Sequence, residues 1–223
     1  EVAETYNNIG TVYEDLGEID IAIDYFLKSL EIMNTIFEEN SFHHAILYNN
    51  IGNLYNKKDD TEKALEYHLK SLEIDLKHVG EISYDVALAY HNIGNIYFGK
   101  TDYPKSLEYY KKSVNIKKEI FGEKSADIAS TLKNIGISYL YMSDYKNSIT
   151  NFQKAIASSL YDFSDTLNLL SIPKIENYNN WFFLINSLYY KTIIILEIKE
   201  LFPDISELER KTISLNHLLA CDT

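Results

Sequence analysis

The sequence predicts an all-α fold, a right-handed superhelical solenoid of antiparallel helix pairs, on three observations. The chain aligns with itself at an offset of 42 residues, placing glycines at Gly10, Gly52, Gly94 and Gly136 without drift. Each repeat holds two stretches whose apolar residues recur at helical spacing. Only three prolines and eight glycines punctuate 223 residues, which suits long helices and short links better than a turn-rich β fold. Units that bury apolar faces only against their neighbours stack into a solenoid.

The first helix of each unit is read from YNNIGTVY (Tyr6 to Tyr13), YNNIGNLY (Tyr48 to Tyr55), YHNIGNIY (Tyr90 to Tyr97) and LKNIGISY (Leu132 to Tyr139). Tyr48, Ile51, Gly52 and Tyr55 fall at i, i+3, i+4 and i+7, one face of a helix. The second helix follows in AIDYFLKSLEI from Ala22, ALEYHLKSLEI from Ala64, SLEYYKKSVNI from Ser106 and SITNFQKAIAS from Ser148. Short polar links such as Lys57-Lys58-Asp59-Asp60 join antiparallel neighbours. Each glycine is expected on a buried face where the second helix comes close, with the aromatic at i+3 filling the gap and Ala22, Ala64, Ser106 and Ser148 opposite. Four units are expected over 1–160, at about 1–38, 39–80, 81–122 and 123–160. A connection follows over 161–178, then a degenerate fifth helix pair or cap over 179–223, where LINSLYY (Leu184 to Tyr190) echoes NIGNIYF (Asn92 to Phe98).

The aromatic, the Ile-Gly pair, the following tyrosine and the small residues of the second helix (Ser29, Ser71, Ser113, Ala155) resemble the tetratricopeptide repeat family. The long repeat is similar to that of kinesin light chains and bacterial TPR-CHAT proteins. A second resemblance lies in the tail: Phe163-Ser164-Asp165-Thr166, a connection with Pro173 and Lys174-Ile175-Glu176-Asn177-Tyr178, then a long apolar stretch. That order resembles the junction at which TPR-CHAT repeats lead into a caspase-like protease. The resemblance implies a protein- or peptide-binding scaffold, the recognition and regulatory region of such a protease, with catalysis outside this chain. It also implies docking of a partner protein, including a larger effector complex. The alternatives are an adaptor or cargo-binding domain like that of kinesin light chains, and the sensor domain of a signalling protein.

In such a superhelix the first helices line the concave face, so their polar columns are the candidate site. One column reads Asn8, Asn50, Asn92 and Asn134; the column before it reads Asn7, Asn49, His91 and Lys133. A third contributes Thr11, Asn53 and Asn95 beside Ile137, and a fourth contributes Phe98 beside Glu14, Asn56 and Leu140. Asparagine is a mediocre helix former, so its recurrence in mid-helix calls for a reason. One reason is a clamp, since an amide offers an acceptor and two donors to an extended peptide backbone. The other is structural: the amides bridge adjacent helices and recur because the unit recurs.

Other classes are disfavoured. A net charge of −12 without a basic patch argues against direct binding of nucleic acid or anionic membranes. The apolar stretch from Trp181 to Ile198 is broken by Asn186, Ser187, Lys191 and Glu197, too polar for a membrane span. The single cysteine, Cys221, fits a reducing cytoplasmic setting and offers no catalytic thiol. His43-His44 is read as a surface pair, not a metal site, and no cofactor is expected. Few cations lie in the groove columns, so a clamp for carboxylates gives way to a neutral or basic partner segment. The chain opens inside a repeat, which suggests part of a longer protein.

Overall fold

The computed structural model describes residues 1–37, 41–123 and 125–158. It contains eight helices among the described residues: α1 (Val2–Asp15), α2 (Ile19–Ile36), α3 (Phe42–Lys57), α4 (Thr61–His78), α5 (Tyr84–Gly99), α6 (Tyr103–Phe121), α7 (Ala126–Tyr141) and α8 (Tyr145–Ser158). The fold is an all-α helical repeat. Two compact units divide the chain, one over Glu1–Ile116 and one from Lys117 onward. The connection expected over 161–178 and the helix pair expected over 179–223 lie outside the described residues.

Local chemistry sets the helix ends. Gly17, Asp59, Thr101 and Ser143 occupy the same place after each first helix, and all four have positive φ, at 78°, 60°, 59° and 59°. This left-handed residue lets the next amide reach back into the helix. Glu18 N–H donates to the Tyr13 carbonyl at 2.9 Å, and Asp60, Asp102 and Asp144 do the same to Tyr55, Tyr97 and Tyr139. Those three aspartates then cap the second helices, accepting from Lys63, Lys105 and Asn147 N–H at 3.2 Å. In one link, therefore, the same residue closes one helix and starts the next.

Packing within a helix pair is set by the glycine column. A Cβ on Gly10 would lie 3.0 Å from the Phe26 ring, on Gly52 2.9 Å from His68, on Gly94 2.6 Å from Tyr110, and on Gly136 3.1 Å from Phe152. The ring seated on each glycine thus comes from the second helix, and not from the tyrosine three residues on, as the sequence suggested. Those tyrosines instead stack on the opposite helix: Tyr13 on Tyr25, Tyr55 on Tyr67 and Tyr97 on Tyr109, at 5.4–5.6 Å with nearly parallel rings. Ala22, Ala64, Ser106 and Ser148 are fully buried, and the Ser148 hydroxyl donates to the Gly136 carbonyl at 2.7 Å. The small residues of the second helix add a tie, because Ser29 donates to the Ala3 carbonyl at 2.6 Å and Ser71 to that of Ala45 at 3.0 Å.

Neighbouring pairs share their cores within the first unit. Ile23 and Phe26 of α2 pack with Leu47, Ile51 and Leu54 of α3, and Leu72 of α4 packs with Val86, Ala89 and Ile93 of α5. The first three helix pairs thus complete their cores against one another, which is the physical basis of stacking. His44, read from sequence as half of a surface pair, is buried here. Its ring bridges the Ser41 hydroxyl at 2.8 Å and the Asn34 amide oxygen at 2.9 Å, tying the end of α2 to the start of α3. His43 is exposed, its ring tilted against that of Phe37 at 4.5 Å.

Candidate functional site

The asparagine column does not have one role. Asn92 of α5 donates from Nδ2 to Asn49 Oδ1 at 3.1 Å and to Asn53 Oδ1 at 3.2 Å, both on α3. Three predicted site residues therefore meet as an amide bridge between first helices, the structural alternative raised by the sequence. Asn50 is half-buried and Asn8 exposed, and neither makes a side-chain hydrogen bond among the described residues. Thr11 turns its hydroxyl to the Asn7 carbonyl at 3.2 Å, while Asn7 Oδ1 is buried without a partner.

Other predicted residues serve the core beneath them. Asn95 accepts from the buried Tyr110 hydroxyl at 2.7 Å, and the half-buried His91 ring lies 5.5 Å from the Tyr110 ring. Phe98 is half-buried against Tyr103 at 5.5 Å. Lys133 and Asn134 belong to the second unit, and both are half-buried. Burial lowers the Lys133 pKa, and the Asn134 carbonyl accepts from Ser138 at 2.9 Å. Glu14 forms an ion pair with Lys57 of α3 at 2.7 Å, and Lys58 pairs with Asp20 and Lys100 with Glu62 in the same sense along the chain.

Next to the amide bridge the α3–α5 seam opens. A cavity of about 130 Å³ is lined by Phe42, Ile46 and Asn49 of α3, Ser71 and Asp75 of α4, and Asp85 and Leu88 of α5. Phe42 and Ile46 are exposed at its mouth, whereas Asp75 is only 3% exposed. Its carboxylate lies 3.3 Å from the Ser71 hydroxyl, whose one proton it shares with the nearer Ala45 carbonyl, and it has no ion pair among the described residues. Burial, reinforced by the nearby Asp85 charge, raises the Asp75 pKa from 3.8 to about 6. Of these residues the sequence places only Asn49 in the candidate site, and Ser71 among the small residues of the second helix. The available signal was a break in the repeat: Met33 and Lys117 stand where Asp75 does one unit away.

An all-α scaffold whose helix pairs share cores and present a polar seam defines a helical repeat protein. The chain belongs to the tetratricopeptide repeat family, whose profile matches residues 1–77 and 85–159. No curated protein sequence matches it. Among solved structures it is similar to BtubC (BKLC) from P. vanneervenii, at 16% identity and a TM-score of 0.75, over 98% of this chain and 78% of that one. It is also similar to the nearly identical TPR-like repeats of a putative kinesin light chain from Podosopora anserina, at 8% identity and a TM-score of 0.72, over 98% and 95%. The apo form of RapI matches at 17% identity and a TM-score of 0.72, over 98% of this chain and 53% of that one. At these identities the likeness is one of fold. Among the described residues no helix is long and apolar enough to cross a membrane.

Proposed function

We propose that this chain is a recognition module that binds an extended segment of another protein along the first helices α1, α3 and α5, and carries no catalytic centre. The observation that supports this reading most directly is the pair of amides on Asn8 and Asn50, which have no hydrogen-bond partner among the described residues. Each could form hydrogen bonds to a peptide backbone worth about 0.5–1.5 kcal/mol net, so apolar contacts such as Phe42 and Ile46 must supply the rest. The net charge of −12 favours a neutral or basic segment. In the finer reading the chain is the regulatory region of a TPR-CHAT protease of the cytoplasm that docks a partner protein or larger effector complex; the order of motifs from Phe163 to Tyr178 supports it. The fold likeness to the kinesin light chain repeats favours a second reading, a cargo-binding adaptor.

The test is affinity capture from native lysate with the wild-type chain and with Asn8→Ala/Asn50→Ala, at matched helicity. Asn92 is left intact because its loss would break the amide bridge. The expected result is a partner held by wild type and weakened at least tenfold by the double variant. A partner held equally by both refutes the role of this face.

A further inference from the structure

The position of Asp75, beside the cavity in the α3–α5 seam, is taken by a lysine one repeat further along the chain. Lys117 stands at the position of Asp75, and Asp127 at that of Asp85. The Lys117 side chain is buried, 3% exposed, and its ammonium donates to Thr131 Oγ1 at 3.1 Å and to the Asp127 carbonyl at 3.4 Å. At this place in the repeat the fold therefore accommodates a lysine arm with its charge buried. At the α3–α5 seam the same position carries a carboxylate, and the space beside it is open.

We propose that this cavity receives the side chain of a lysine from the bound partner. Phe42, Ile46 and Leu88 would cover the methylene arm, and the carboxylates of Asp75 and Asp85 would face the ammonium. The opposed charges make a cation the complementary occupant: neither aspartate has an ion pair among the described residues, and a buried carboxylate gains most from a cation that reaches it. The apolar mouth excludes a small hydrated metal ion as the best match, because its hydration shell would face Phe42 and Ile46 and gain nothing from them. The cavity opens beside Asn49, a member of the amide bridge, so a segment lying along the first helices passes its entrance. The proposal rests on the peptide-binding reading above and adds one residue of the peptide.

The experiment is an amide NMR titration of the 223-residue chain with Nα-acetyl-lysine methylamide, and with the norleucine derivative as an uncharged match in shape. The lysine compound is expected to shift Phe42, Ile46 and Leu88 and to bind at least tenfold more tightly than the norleucine compound. Asp75→Lys should place a lysine arm in the cavity from within and weaken binding at least tenfold without lowering Tm. Asp75→Asn, nearly isosteric, should weaken it as much and serves if the lysine variant fails to fold. Equal binding of the two compounds, or unchanged binding by Asp75→Asn, overturns the proposal. If the partner captured by wild type is lost by Asn8→Ala/Asn50→Ala but the two compounds bind alike, the lysine site fails and the peptide face stands. If the compounds discriminate but that double variant captures as wild type does, the peptide face fails and the cavity remains a lysine site.

Discussion

Replacing His68 with phenylalanine should stabilise the protein, and more at pH 5 than at pH 7. His68 sits on Gly52 where Phe26 sits on Gly10 and Phe152 on Gly136, and both phenylalanines are fully buried. The socket therefore accepts a six-membered ring. His68 is 1% exposed, and its Nδ1 has no hydrogen-bond partner, a defect that costs about 1–3 kcal/mol. Taking the low end, the variant gains about 1 kcal/mol at pH 7. Burial also lowers the His68 pKa from 6.5 to about 4. Between those values the unfolded chain binds a proton that the folded chain does not, so stability present above pH 6.5 is lost as pH falls towards 4. At pH 5 this loss amounts to about 2 kcal/mol, at ~1.4 kcal/mol per tenfold change in proton affinity. Asp75 opposes it: with its pKa raised to about 6, the folded chain takes up a proton first, and stability rises by roughly 1 kcal/mol from pH 7 to pH 5. The Asp75 contribution is common to both proteins and cancels in the difference. Urea denaturation at the two pH values should then give His68→Phe an advantage of about 1 kcal/mol at pH 7 and about 3 kcal/mol at pH 5. An advantage independent of pH, or a variant less stable at pH 7, refutes the reasoning.

Three further predictions come from places where the repeat is locally unequal. Gly94→Ala should cost about 1–3 kcal/mol by thermal melting, because its Cβ would lie 2.6 Å from a Tyr110 ring held by Asn95. Gly136→Ala, at 3.1 Å from Phe152, should be close to neutral, since alanine also gains about 0.5–1 kcal/mol over glycine in a helix. Ser29→Ala should cost about 1 kcal/mol in urea denaturation by losing the 2.6 Å bond to Ala3, whereas Ser113→Ala should cost nothing. The Ser113 hydroxyl is buried without a partner, and alanine is native at the equivalent Ala155. Thr101→Gly should raise Tm, with a gain of about 1 kcal/mol, because a β-branched residue there has φ of 59° where the first unit has Gly17.

The core was legible because its constraints are local and recur. A glycine every 42 residues marks a helix face that another element approaches closely, and that inference needs no knowledge of the neighbour. What the sequence could not assign was the neighbour itself. The tyrosine at i+3 and the ring on the second helix are both aromatic at each unit except for His68, so composition does not say which one covers the glycine. The packing decides: helix pairing brings Phe26, His68, Tyr110 and Phe152 onto the glycines and leaves the tyrosines to stack at the edge. His44 was misread for a related reason. A helix-start histidine is ordinarily solvated, and its burial depends on Asn34, ten residues away on the preceding helix.

The site was harder to read because identical columns have unequal surroundings. Asn50 and Asn92 are the same residue in the same column, yet only Asn92 forms a bridge among the described residues. The reason lies one unit back. Asn92 faces two amide oxygens, on Asn49 and Asn53, whereas the residues in register for Asn50 are Asn7 and Thr11. Thr11 has already turned its hydroxyl to its own helix. The bridge at Asn92 thus draws on two columns at once, and at Asn50 one of those two columns is broken. The same logic separates Asp75 from Lys117. Repetition fixes the backbone and the core, so each unit presents the same geometry, and a single departure from the repeat changes charge or hydrogen bonding without altering the frame. In a protein of this kind, recognition is best sought where a column departs from its own pattern.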